Sequence, residues 1–267
     1  MIPHSGGQLW ADVRWRNGWR VQTHSELPLN RLLDPSDRTH KHGSLEACEE
    51  ALSKLAPATP PSDHLVVLLH GLGRTRRSMR KVDRALAGAG LTTARLDYPS
   101  ARDTIDNHAH RIGQLLDNLS TPNRLSFVTH SLGGLIVRKL LERDASWRSN
   151  VYRIVMFAPP NQGASMARTL DNAALRLVMG PSFKQIVDGI PRSLPVPDAP
   201  TSIVAGEIGS TRTDGLVTVA ETKLDAMAAH HVVPSLHTFV MNHPEAITRT
   251  VSFLASPDLA GGSKQTP

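Results

Sequence analysis

Ser131 stands in the stretch Leu125-Ser126-Phe127-Val128-Thr129-His130-Ser131-Leu132-Gly133-Gly134, where an apolar run stops at a hydroxyl flanked by small residues. A serine held on a sharp strand-to-helix turn has strained backbone geometry, so its close neighbours must be small. Gly133 meets that demand, and Ser131 reads as a nucleophile. Its other reading is a helix cap on an ordinary connection. Upstream, His70-Gly71-Leu72-Gly73 closes an apolar run. Glycines there let the backbone turn sharply and bring N–H groups near a bound atom, as an oxyanion hole requires. Leu72 is the natural donor, a plain glycine turn the alternative. Downstream, Thr213-Asp214-Gly215-Leu216-Val217 sets an acid beside a turn, and Asn242-His243-Pro244 supplies a histidine. Glu207 and Asp225 are the reserve acids. Among thirteen histidines, His130 adjoins the nucleophile, His237 falls within an expected strand, and His230 and His231 read as loop residues.

The elements that must position these residues follow from periodicity. Leu65 to Leu69 is continuously apolar, the pattern of a strand covered on both faces. Further strands are expected at Leu91–Pro99, Leu125–His130, Val151–Phe157, Ser202–Gly206 and Leu236–Met241. Helical spacing marks the stretches from Arg74, from Ile105, from Leu135 and from Ile247. Strands alternating with helices imply an α/β class with a mostly parallel sheet and helices on both faces. In such sheets active groups gather beyond the carboxyl ends of the strands. Leu72, Ser131, Asp214 and His243 all fall at or just after expected strand ends, and so share one edge.

Ahead of this unit, Leu9–Trp15 and Trp19–Thr23 flank Asn17-Gly18, the signature of a β-hairpin. Its three tryptophans read either as a binding surface or as aromatic residues docking the hairpin. Leu29–Gly43 reads as an irregular connector, and Ser44 caps a short helix to about Leu55. The expected organisation is an extension over 1–63 without a core of its own, a main domain over 64–255 with a small cap at 165–200, and a disordered tail over 256–267.

The 267 residues suffice for one α/β domain. A single cysteine, Cys48, excludes an internal disulfide and a cysteine-based metal site. No metal or cofactor is expected. The N-terminus lacks a signal-peptide pattern and no apolar run is long enough to span a bilayer, so a cytoplasmic location without stable membrane insertion is expected. The net charge of +6 admits anion affinity, but with 4% aromatic residues and no nucleic-acid motif, nucleic acid is not an expected partner. The basic run from Arg74 to Arg84 reads as a solvated helix face or as an attractor of acidic substrates or lipid headgroups.

Over about Leu65 to Ala255 the chain resembles the α/β-hydrolase superfamily, in the order Ser131, Asp214, His243 and in its glycine turn. It is similar in particular to bacterial triacylglycerol-type lipases and esterases, whose Asp-Gly-Leu-Val and Asn-His segments match Asp214–Val217 and Asn242-His243. That resemblance implies a serine esterase or lipase working through an acyl-enzyme on a small-molecule or lipid ester. His243 is then the base, Asp214 its orienting acid, and Leu72 and Leu132 the oxyanion donors. Thr129 replaces the first elbow glycine, and no aspartate follows the histidine as in calcium-binding lipases, so calcium is not expected. Acyl-thioester hydrolysis or acyl transfer uses the same triad. A non-catalytic binding module on this fold is the reading from another class.

Overall fold

The computed structural model describes residues 6–56, 62–120, 122–169 and 172–256. After a 3-10 turn at Gly6–Leu9, β1 (Trp10–Arg16), β2 (Trp19–His24), β3 (Asn30–Leu33) and β4 (Thr39–Gly43) form an antiparallel sheet in chain order, followed by α1 (Leu45–Leu55). The Asn17-Gly18 hairpin is present: both turn residues have positive φ, as its geometry demands. Ser44 caps α1, its hydroxyl accepting from the Ala47 N–H at 3.2 Å. Two expectations for this region change. The connector over Leu29–Gly43 is a pair of strands, whose polar and histidine-rich residues hide the alternation: every residue of β4 is exposed. The extension also has a small core of its own, in which Val21 and Leu32 pack with Cys48, Leu52 and Ala56.

The main sheet is built from β5 (His64–Leu69), β6 (Thr92–Leu96), β7 (Arg124–His130), β8 (Val151–Phe157), β9 (Thr201–Glu207) and β10 (Ala229–Pro234). All pairings are parallel, in the order β10-β9-β8-β7-β5-β6. The helices α2 (Arg80–Gly88), α3 (Ile105–Asp117), α4 (Leu132–Leu140) and α7 (Pro244–Ala255) flank it, with α5 (Ser165–Thr169) and α6 (Ala173–Val187) in the cap segment. β5 shows why its run is unbroken. Leu65, Val67 and Leu69 pack with α3 and α4, whereas Val66 and Leu68 pack with Val82, Leu86 and Leu254 from α2 and α7. No helix among the described residues is long and apolar enough to cross a membrane.

The last strand departs from expectation. It is β10, at Ala229–Pro234, so His230 and His231 are strand residues, and Leu236–Met241 is instead a loop entering a 3-10 turn at His237–Asn242. Two apolar residues of that turn, Val240 and Met241, are buried and join the core beneath α7, whereas Phe239 is exposed. The alternation of apolar and polar residues over Leu236–Met241 therefore imitates a strand. In the cap, α6 breaks at Gly180 (φ 79°), where a Cβ would lie 1.8 Å from the Ala101 carbonyl oxygen. Only glycine fits this close approach to the loop that follows β6. Arg138 of α4 is buried and donates to the carbonyls of Leu194, Pro195 and Asn161, fastening the segment that follows α6 to α4. The expected tail lies outside the described residues beyond Ser256, as does 57–61 of the proline-rich link.

The extension docks through charge. Buried Arg20 pairs with Asp12 at 3.1 Å and Asp97 at 3.4 Å, and with Asp37, which also binds Arg76. Asp12 and Asp97 exchange main-chain contacts across the seam: the Asp12 N–H donates to the Asp97 carbonyl at 2.9 Å, and the Asp97 N–H to the Asp12 carboxylate at 2.7 Å. Trp15 packs against the main core, whereas Trp10 lies beneath the Arg31 guanidinium.

Candidate active site

β7 lies inside the sheet between β5 and β8, and its carboxyl end delivers the chain into α4 through Ser131. Ser131 has φ 51° and ψ −117°, a conformation in which an L-residue is strained. The surroundings hold it there. Its N–H donates to the Phe157 carbonyl at 2.9 Å and its carbonyl accepts from Gly134 at 3.0 Å. Gly133 is required, because a Cβ at that position would lie 2.8 Å from the Leu69 carbonyl oxygen. Thr129 is accommodated differently. Its hydroxyl donates to the Val155 carbonyl at 3.3 Å, and Gly134 opposite leaves room for it.

Three side chains from separate segments form one hydrogen-bonded line. The Ser131 hydroxyl lies 2.9 Å from His237 Nε2, and His237 Nδ1 lies 2.7 Å from Asp214 Oδ2. The carboxylate fixes the tautomer: Nδ1 carries the proton and donates to Asp214, leaving Nε2 to accept from the serine. Asp214 is buried, and its other oxygen accepts the N–H groups of Leu216 at 3.0 Å and Val217 at 2.8 Å, as the turn around Gly215 allows. Main chain ties acid to base as well, the His237 N–H donating to the Asp214 carbonyl at 2.9 Å. Gly206 on β9 permits this crowding. A Cβ there would meet the Ser235 carbonyl oxygen at 2.6 Å and Asp214 Cβ at 2.9 Å.

The structure thus brings together Ser131 and Asp214 as expected but replaces the histidine. His243 makes no hydrogen bond to either residue. It is the N-cap position of α7, its carbonyl accepting from Ile247, and its Nδ1 is buried without a partner. The error follows from the displaced last strand: once β10 ends at Pro234, the histidine just beyond the strand end is His237. The reserve acids lie elsewhere, Glu207 accepting from the Arg212 N–H and Asp225 exposed.

Two further histidines support the site, and sequence spacing gave no sign of their roles. His130 Nε2 lies 2.9 Å from the His237 carbonyl, which can only accept, so His130 carries its proton on Nε2 and holds His237 from behind. Burial, and then the neighbouring His237, hold its pKa well below the usual histidine value. His70 stacks on Tyr98 with ring centroids 4.1 Å apart, and its Nδ1 contacts the Gly71 carbonyl at 2.9 Å. Burial lowers the His70 pKa to about 4, so a neutral ring steadies the glycine turn. A Cβ on Gly71 would lie 2.5 Å from His130 Nδ1 and 3.3 Å from Ser131 Cβ, so glycine lets the turn pack against the His130 ring beside the serine.

A cavity of about 330 Å³ opens beside Ser131 and His237. Its walls are mainly apolar, with Leu72, Met179, Phe183, Ile186, Leu216 and Val217 among them. Cap residues supply one side. Leu132, the first residue of α4, follows the serine directly, and Leu72 lines the cavity, so both expected oxyanion positions adjoin Ser131.

The family profile described as "Domain of unknown function (DUF7379)" matches residues 37–193. The chain belongs to that family. The DUF7379 match holds the glycine turn and Ser131 but ends before Asp214 and His237. No curated protein matches the sequence. Solved structures similar to the chain include the mature Bacillus licheniformis lipase BlEst2, at 16% identity and TM-score 0.61, covering 74% of this chain and 93% of that one. The Legionella pneumophila phospholipase PlaB aligns at 17% identity and TM-score 0.56, covering 74% of this chain and 60% of that one. The metagenomic carboxyl esterase MGS0156 aligns at 17% identity and TM-score 0.55, covering 74% and 78%. These likenesses, with the parallel sheet and its helices, establish an α/β-hydrolase fold for this DUF7379 member.

Proposed function

We propose that the protein is a serine hydrolase of carboxylic esters. The observation that carries this reading is the line Ser131–His237–Asp214, set on a strained elbow beside an apolar cavity. His237 Nε2 takes the hydroxyl proton as Ser131 Oγ attacks the ester carbonyl, and Asp214 stabilises the imidazolium that forms. The N–H groups of Leu72 and Leu132 receive the developing oxyanion. Each such donor contributes about 2.7–4 kcal/mol to lowering a barrier of this kind. Collapse of the tetrahedral intermediate passes the proton to the departing alcohol and leaves Ser131 acylated; water, activated by the same histidine, releases the acid. The apolar cavity suits the acyl chain. Names of the fold's neighbours as lipase, phospholipase and carboxyl esterase agree with this chemistry.

A fluorophosphonate probe tests the proposal. Labelling is expected on the wild-type protein and absent from Ser131→Ala; labelling retained in that variant, or ester turnover retained in it, overturns the assignment.

A further inference from the structure

The basic run that opens at Arg74 divides into three groups. Arg76 and Arg77 pair with Asp37, and Arg76 also with Asp97. Arg80, Lys81 and Arg84 are exposed on the outer face of α2. Arg74 belongs with neither group. It lines the catalytic cavity together with Ser131 and His237, and it is the one lysine or arginine among the lining residues. Among the described residues no aspartate or glutamate lines that cavity. Among the described residues no carboxylate pairs with Arg74, whose guanidinium contacts only the Thr238 carbonyl, at a long 3.5 Å. It is also half-buried, and burial alone lowers its pKa.

Its position is nevertheless built. The Arg74 N–H donates to the Gly71 carbonyl at 3.2 Å, and its carbonyl accepts from the Gln8 side chain. A half-buried cation without a counter-ion is costly to keep beside an apolar wall, unless a ligand supplies the missing charge. From this we infer that Arg74 is an anion subsite, and that the substrates are esters bearing a phosphate or carboxylate on the alcohol side, their acyl chain lying along the apolar wall. The inference rests on the serine-hydrolase reading for the reaction but not for the binding. Phosphate and carboxylate share the chemistry that a guanidinium recognises, two oxygens facing two N–H groups.

Two matched pairs of substrates test it: monodecanoylglycerol phosphate against monodecanoylglycerol, and para-butyryloxybenzoate against its methyl ester. Wild type is expected to favour the anionic member of at least one pair in kcat/KM by about 10- to 100-fold, the range of one charge-assisted hydrogen bond. The phosphate pair and the carboxylate pair together tell which anion is preferred. Arg74→Gln brings that ratio close to unity, Arg74→Lys keeps part of it, and Arg74→Glu inverts it. A ratio that is the same in wild type and Arg74→Gln overturns the inference while leaving the hydrolase reading intact. Binding provides a second readout, independent of turnover. Calorimetric titration of Ser131→Ala with octyl phosphate and with octanoate is expected to show binding of at least one anion that is lost when Arg74→Gln is added; binding unaffected by that change, or absent for both, overturns the subsite. Absence of both ester turnover and probe labelling overturns the hydrolase reading, with the titration still deciding the subsite.

Discussion

Two buried polar networks hold this molecule together at different places, and they are built on opposite principles. At the edge that holds Ser131, His237 and Asp214, a single carboxylate, that of Asp214, is met by main-chain N–H groups and by the His237 ring. At the seam under the N-terminal sheet, Arg20 and Arg76 meet Asp12, Asp37 and Asp97, so that charge is met by charge. Burial raises the Asp12 carboxyl pKa against the pull of Arg20, a sign of how little water reaches the seam. Main-chain donors fix one carboxylate in one orientation, which a proton relay needs. Paired side chains fix the relative placement of two sheets, which docking needs, and they contribute specificity more readily than net stability. The difference teaches that polar groups in the same fold can be buried for geometry at one site and for registry at another.

The sharpest way to break the comparison is at the relay. His237→Ala is expected to lower kcat/KM toward an activated ester by about 10⁴-fold or more, because base and nucleophile act as a unit. His243→Ala is expected to change it by only a few-fold, and steady-state kinetics of the two variants side by side decides between the histidines. Removing one member of the seam acts on stability instead. Asp12→Ala leaves Arg20 short of a counter-ion and the Asp97 N–H without its acceptor, and a urea titration is expected to show a loss of about 3–5 kcal/mol. Acid probes neither network but the two buried histidines that pack on Tyr98. His70 and His108 are buried with pKa values lowered to about 4, so the unfolded chain binds more protons than the folded one between about pH 6.5 and 4. Their contribution to stability is fully present above that window and is lost as pH falls through it, by about 2 kcal/mol for each histidine at pH 5. Thermal melts across the window are expected to show this slope, and His108→Phe to flatten it. The smallest effect is at the elbow: Thr129→Gly removes a buried hydrogen bond to Val155 and adds backbone freedom, a loss of about 1 kcal/mol in urea, sharpening how far Gly134 alone supports the turn.

Much of the catalytic edge was legible in the sequence because its demands are local. A serine that must sit at positive φ needs Gly133, and an aspartate that must accept main-chain N–H groups needs the turn at Gly215; both leave marks within a few residues. Parallel strands buried on both faces leave the equally plain mark of Leu65–Leu69. The base was not legible, because its position depends on where the last strand ends. The residues of β10 are only partly buried at this sheet edge, so Ala229–Pro234 lacks an apolar run, whereas the 3-10 turn at His237–Asn242 buries Val240 and Met241 and looks more strand-like than the strand. Strands β3 and β4 were hidden for a related reason, β4 being exposed throughout. The support of His237 by His130 joins residues 107 positions apart and leaves no local pattern, and the stacking of Tyr98 on His70 is likewise long-range.

Gln8 gives this arrangement a kinetic side. Its side chain reaches the carbonyl of Arg74 and accepts from Ser100 and Ala101, at separations of 66, 92 and 93 positions, while Ser131 and His237 meet across 106. Closures of that length are entropically unfavourable until much of the chain is already in place. During refolding, helix content is therefore expected to return before either the Gln8 contacts or the Ser131–His237 contact, the longest closure of the four, is made.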